Sequence, residues 1–190
     1  MTVAVPFRGA AMFLCGALFI GGCAAGIGPG GRAGGEFAPG PEVVIPGVPF
    51  LPQAEETCGP SSLAMLLRFL GKKAETAEIA GETRTAGLRG TLITDLAAAA
   101  RRRGVDAEVV DLDPAGLRAE IDAGRPVILL VDLGVWVWSR PHYLLVYGYG
   151  PRGYVAHSGR TAGQEIPASD LSARWAKMGR LAIVARGAAR

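Results

Sequence analysis

The sequence predicts an α+β domain, with helices in its first half and an antiparallel sheet in its second. Three observations carry this. Leu63, Leu66, Leu67 and Leu70 recur at helical spacing, and three further helical segments follow before residue 124. From Pro126 onward the apolar runs shorten to strand length and are rich in Val, Ile, Leu and Tyr. Pro151-Arg152-Gly153 reads as a tight turn between two of these runs. Helices followed by hairpin-connected strands give a layer of helices packed on a sheet.

Taken in order, Val43 to Leu51 is a short extended segment punctuated by Pro46 and Pro49. The first helix runs from about Cys58 to Leu70, because Pro60 suits a first turn and Gly71 ends it. A short helix at Thr76 to Ala80 precedes a Gly/Thr-rich loop. Thr91 is placed to cap the next helix, which carries Leu92, Leu96, Ala99 and Ala100. Its last turn, Arg101-Arg102-Arg103-Gly104, puts cations at the negative helix end, which explains the basic run without a binding patch. Asp113-Pro114 opens a further helix to Ala123, closed by Gly124. Strands are predicted at Pro126 to Leu133, Tyr143 to Tyr149, Tyr154 to Ala156 and Leu181 to Ala185, with Trp175 in the core side of a C-terminal helix.

The chain has 190 residues, of which 49% are hydrophobic and 19% charged, so one domain can bury a real core. The formal net charge is +3 and the arginines are scattered, which argues against nucleic acid as a partner. The first residues read as a leader: Arg8 supplies a positive flank, and Ala10 to Ile20 is an apolar run too short to span a bilayer. It closes on Ile20-Gly21-Gly22-Cys23, which resembles a bacterial lipobox, where cleavage leaves the acylated cysteine as the first residue. Residues 1–22 are therefore expected to be a lipoprotein signal peptide, with Cys23 the lipidated residue. Ala24 after it points to the periplasmic side of the outer membrane. Residues 23–41 are Gly, Ala and Pro with little else, a flexible tether that cannot bury enough apolar surface to order itself. Residues 42–190 form the folded domain.

Three cysteines are present: Cys15 in the leader, Cys23 at the lipobox, and Cys58. That leaves Cys58 without a disulfide partner in an exported domain, which makes it a candidate nucleophile. Its setting strengthens this. In Gln53-Ala54-Glu55-Glu56-Thr57-Cys58-Gly59-Pro60 the thiol stands at a helix N-terminus, where backbone N–H groups and the helix dipole favour a thiolate. Gln53 is placed to fold back and donate to the oxyanion of a tetrahedral intermediate. Only two histidines occur, and His142 opens the apolar strand Pro141-His142-Tyr143-Leu144-Leu145-Val146 beside a turn, where a side chain can reach a cleft.

Val48-Pro49-Phe50-Leu51-Pro52-Gln53, Cys58-Gly59-Pro60, Ser62-Leu63-Ala64-Met65 and His142-Tyr143-Leu144-Leu145-Val146-Tyr147-Gly148-Tyr149 together resemble the double-glycine leader peptidase-like family of papain-like cysteine peptidases. The resemblance implies the papain-like fold, N-terminal helices packed on a C-terminal antiparallel sheet. It also implies Cys58 as nucleophile, His142 as general base and acid, and Gln53 as oxyanion donor. The chain departs from the family at the third member. Where the family shows Asp or Asn followed by Pro, this sequence has His157-Ser158-Gly159. Neutral His157 can accept the hydrogen bond that orients the base, and Ser158 can do so more weakly, but neither brings a negative charge. His157 is taken as the partner; a weaker triad, a working dyad and a loss of catalysis all stay open.

The function expected is a membrane-anchored cysteine peptidase of the bacterial cell envelope, acting on peptide or protein substrates with no cofactor. Two histidines and one available cysteine make a zinc site improbable. The alternative is a catalytically weak or inactive envelope module that keeps the fold and grips an extended peptide. Trp136 and Trp138, alternating just before His142, are expected on one face, as a cleft wall or as core. Substrate identity and oligomeric state are not legible.

Overall fold

The computed structural model describes residues 42–84, 87, 90–134 and 138–186. The leader, the tether, Cys23 and Trp136 lie outside the described residues. The elements in chain order are β1 (Val43–Val44), α1 (Cys58–Phe69), α2 (Thr76–Thr83), α3 (Ile93–Arg102), β2 (Ala107–Asp111) and α4 (Pro114–Asp122). They continue as β3 (Val127–Asp132), β4 (Pro141–Gly150), β5 (Gly153–Ser158), β6 (Thr161–Ile166), α5 (Ala168–Ala176) and β7 (Leu181–Ala185).

Among the described residues the strands form one antiparallel sheet in the order β2-β7-β3-β4-β5-β6, with β1 pairing β4. The mixed helix-plus-sheet class is the one the sequence predicts. Two strands escape that reading. β2 pairs along its whole length with β7, Ala107 opposite Ala185, although it lies between two helices in sequence. β6 is a polar edge strand, Thr-Ala-Gly-Gln-Glu-Ile, exposed over nearly its whole length; without apolar alternation it carries no strand signal. Thr91 also departs from expectation. α3 starts at Ile93 with Leu92 at its N-cap, while Thr91 bridges to Arg84 and its carbonyl accepts the Tyr143 hydroxyl at 2.9 Å. The Asp113 cap is as predicted: its carboxylate accepts the Gly116 N–H at 2.7 Å.

Each face of the sheet carries its own core. On one face, Leu63, Met65, Leu66 and Leu67 of α1 and Leu96 of α3 pack against Ile128, Leu130, Tyr143 and Leu145. On the other, Leu117 and Ile121 of α4 and Leu171 and Trp175 of α5 cover Leu129, Val131, Leu144 and Val146. Each fully buried Leu stabilises by about 1.5–3 kcal/mol relative to exposure. Trp175 is 1% exposed and donates its indole N–H to Leu181 O at 3.0 Å, so it is core. Strand alternation decides the faces: β3 pairs Leu130 with Tyr143 and Val131 with His142, so Tyr143 turns toward α1 and His142 toward the opposite face.

Gly59 lets the start of α1 settle on the sheet. A Cβ there would come within 2.9 Å of Leu96 Cδ1 and 3.0 Å of the Tyr143 ring. The Cys-Gly-Pro sequence thus has a packing reason at its centre, and the residue before it is held by that contact.

Candidate active site

Cys58 is the first residue of α1, reached through a 3₁₀ turn at Glu55–Thr57. No side chain caps this end, and the positive end of the helix dipole lies at the thiol-bearing residue. Cys58 is 8% exposed and sits in the same cluster as Tyr143 and Leu96.

Gln53 is 5% exposed and locked from both ends of its amide. The Gly159 N–H donates to Gln53 Oε1 at 2.7 Å, which fixes the amide orientation, since an N–H needs an acceptor. Nε2 therefore faces α1, where it donates to Ser62 Oγ at 2.8 Å and lies 3.4 Å from Cys58 O. The latter contact is too long to hold a proton firmly. One amide N–H is thus left loosely engaged beside the thiol-bearing residue. The backbone joins in, with Gln53 N–H donating to Gly159 O at 2.8 Å.

His142 is the second residue of β4, at the open end of the sheet. Its Nε2 lies 3.0 Å from Ser158 Oγ, the last residue of β5. Burial pushes the imidazolium down, with the nearby Arg140 charge adding to the effect, and its pKa falls from an ordinary 6.5 to about 4. The ring is therefore neutral near pH 7, the form a general base requires.

Ser158, not His157, is the group that meets His142. Neighbouring residues of a strand point to opposite faces, and β5 presents Ser158 on the His142 side. His157 turns to the α1 face. There its Nε2 lies 3.2 Å from Val48 O, the Gly163 N–H donates to its Nδ1 at 3.1 Å, and the Phe50 and Tyr147 rings pack on it. The expectation that His157 orients the base is corrected by this geometry. In the fold Ser158 shares strand parity with Tyr154 and Ala156, which lie in the same core as Leu144 and Val146, the parity partners of His142. Trp138 is 78% exposed at the end of the β3–β4 loop, so it is not core.

A continuous set of contacts thus runs from Cys58 through Gln53 and Gly159 to Ser158 and His142.

Residues 45–183 match the family model described as Peptidase_C39 like family. The chain belongs to the Peptidase_C39 like family. This is a family of cysteine peptidases. The fold is shared with a protein from Bacillus anthracis described as a C39-like peptidase, at 18% identity and TM-score 0.66, covering 78% of this chain and 99% of that one. It is similar also to the peptidase domain of Streptococcus ComA, a bifunctional ABC transporter involved in quorum sensing, at 22% identity and TM-score 0.61, covering 74% and 100%. A third similar structure is a double glycine motif protease from an AMS/PCAT transporter in complex with the leader peptide, at 19% identity and TM-score 0.56, covering 76% and 96%. At these identities the likeness is one of fold. No curated protein matches the chain.

Proposed function

We propose that this C39-like chain is a cysteine peptidase of the bacterial cell envelope, anchored through lipidated Cys23, that hydrolyses peptide bonds with Cys58 and His142. The observation that supports the reading is the Gln53 amide, turned toward the residue that starts α1 and held by the N–H of Gly159, one residue along the chain from the Ser158 that meets His142.

In this reading His142 donates its Nε2–H to Ser158 Oγ, a hydroxyl able to accept it, and the other ring nitrogen, Nδ1, is the bare one. That nitrogen takes the Cys58 proton as the sulfur attacks the substrate carbonyl. A C–S bond forms, and the carbonyl electron pair moves to oxygen. The Gln53 Nε2–H and the N–H groups at the start of α1 stabilise the resulting oxyanion. On collapse the C–N bond breaks and the amine leaves with the proton from Nδ1. Water, deprotonated by the same nitrogen, then hydrolyses the thioester. Burial keeps His142 neutral, the form that can take a proton from the thiol as the sulfur attacks. The substrate is an extended peptide segment, in keeping with the leader peptide bound by the AMS/PCAT protease.

The test is the alkylation of Cys58 by iodoacetamide as a function of pH, mapped by mass spectrometry in the wild type and in His142→Ala. Labelling at pH 6–7 at least about tenfold faster than in the variant is expected, because the neutral imidazole takes the thiol proton as the sulfur attacks. Labelling that rises only near the ordinary thiol pKa of about 8.5 and ignores His142 would sink the proposal and favour a non-catalytic peptide-binding module.

A further inference from the structure

His157 is 4% exposed, and both of its ring nitrogens are used. Val48 O can only accept and the Gly163 N–H can only donate, so the ring is fixed as the Nε2–H tautomer with a bare Nδ1. The same ring is packed by Tyr147, at 4.4 Å between centroids, and by Phe50, at 5.2 Å. These contacts tie together three stretches of chain: the segment leading to Gln53, the end of β5, and β6. Five residues after Val48 comes Gln53, which meets Gly159. One residue after His157 comes Ser158, which meets His142. The clasp therefore holds both second-rank members of the site from beneath.

We propose that His157 is a positioning residue whose neutral ring keeps Gln53 and the Ser158–Gly159 turn in register with Cys58, and that its protonation in acid releases this clasp and switches the site off. The inference rests on the Cys58–His142 reading and adds a regulation to it. Protonating Nδ1 would set an N–H against the Gly163 N–H, replacing a hydrogen bond by a donor–donor contact. The new charge would find no countercharge in place. The 48–50 segment brings Val48 and Phe50, neither titratable. β4 brings the Tyr147 phenol, which burial keeps uncharged. The carboxylate of β6, Glu165, is engaged by Arg152. Burial likewise holds the His157 imidazolium below its ordinary range, against a smaller opposing effect of the Val48 carbonyl. The clasp is therefore stable at neutral pH, and its release belongs to mildly to strongly acid conditions.

Two variants of the full chain separate this from a merely structural role. Gln in place of His supplies an amide donor for Val48 O and an amide acceptor for the Gly163 N–H, but does not titrate. His157→Ala supplies neither. The first readout is hydrogen exchange of the Gly159 and Gly163 amides, corrected for the intrinsic pH dependence of exchange. The second is the pH profile of kcat/KM on a peptide substrate. The wild type should lose protection at both amides as pH falls, with kcat/KM falling in parallel. His157→Ala should show low protection at every pH and about a tenfold lower kcat/KM at neutral pH, the cost of leaving buried polar groups unpaired. His157→Gln should recover most of that loss and carry protection and activity to lower pH than the wild type. Identical acid profiles in wild type and His157→Gln, or wild-type protection in His157→Ala, would overturn the proposal. The exchange readout needs no substrate. A chain that cleaves nothing while protection follows His157 would therefore defeat the peptidase reading and leave the clasp standing.

Discussion

Two adjacent residues of β5 face opposite sides of one sheet and meet different chemistry. Ser158 looks toward His142 across an open sheet end and makes a single hydrogen bond to it. His157 looks into the α1 face, makes two, and is walled by two aromatic rings. The richer side chain, the one with the chemistry of a catalyst, is the one turned away from His142. The plainer one is the one that meets it. What decides the role is strand parity, because a residue can act only on the face to which the pleat turns it.

That comparison can be broken at three points. The largest effect is expected from Gln53→Ala, since Gln53 is where the two faces are joined. Removing an oxyanion donor should lower kcat about 10²–10³-fold with a smaller change in KM, as steady-state kinetics on a peptide substrate would show. It should also leave the Gly159 N–H without its side-chain acceptor, a cost of about 1–3 kcal/mol visible in denaturant unfolding.

The next test concerns pH and stability. The folded pKa of His142, about 4, lies below the 6.5 expected when the chain is unfolded. Between these values the unfolded chain binds the proton that the folded chain refuses. Stability is therefore fully present above pH 6.5 and falls as the pH drops through 4, by on the order of 3 kcal/mol in all. His142→Gln should remove most of this slope in unfolding titrations between pH 7 and 4. His157, whose pKa is lowered in the same direction, and carboxylates held low by their partners, such as Glu82 beside Arg103, contribute to the part that remains. An unchanged slope in that variant would mean that His142 is not desolvated in the fold.

The smallest effect is expected at Ser158. Ser158→Ala should cost about tenfold in kcat/KM by leaving the ring nitrogen unpartnered. Ser158→Asp should sharpen the comparison: a carboxylate beside the ring favours the imidazolium, raises the His142 pKa and moves the acid limb of the rate profile upward. An acid limb that stays fixed in Ser158→Asp would show that Ser158 does not face the working base.

Much of this arrangement was legible in the chain. The helical recurrence of Leu63, Leu66 and Leu67, Pro60 in the first turn, and Gly71 after the last one define α1, and with it the thiol at a helix start. Asp113 announced its own cap. The apolar strand after His142 announced β4. β6 was not legible, because its burial comes from neither side and its residues alternate in nothing. β2 was not, because its pairing partner β7 lies some seventy residues downstream and a five-residue run gives little signal of its own.

The sequence by itself determined the chemistry available: one cysteine at the head of a helix, a glutamine five residues before it, and two histidines, of which one opens a strand. The tertiary structure decided which of those groups meet. Between His142 and the 157–158 pair lie a hairpin turn and a register shift at Val146/Gly148 in the β4–β5 ladder. Each residue gained or lost there reverses the face of everything that follows. Side-chain period in a strand is fixed by the backbone, but its phase is fixed only by pairing. For that reason the assignment of Ser158 to the base and His157 to the clasp belongs to the fold.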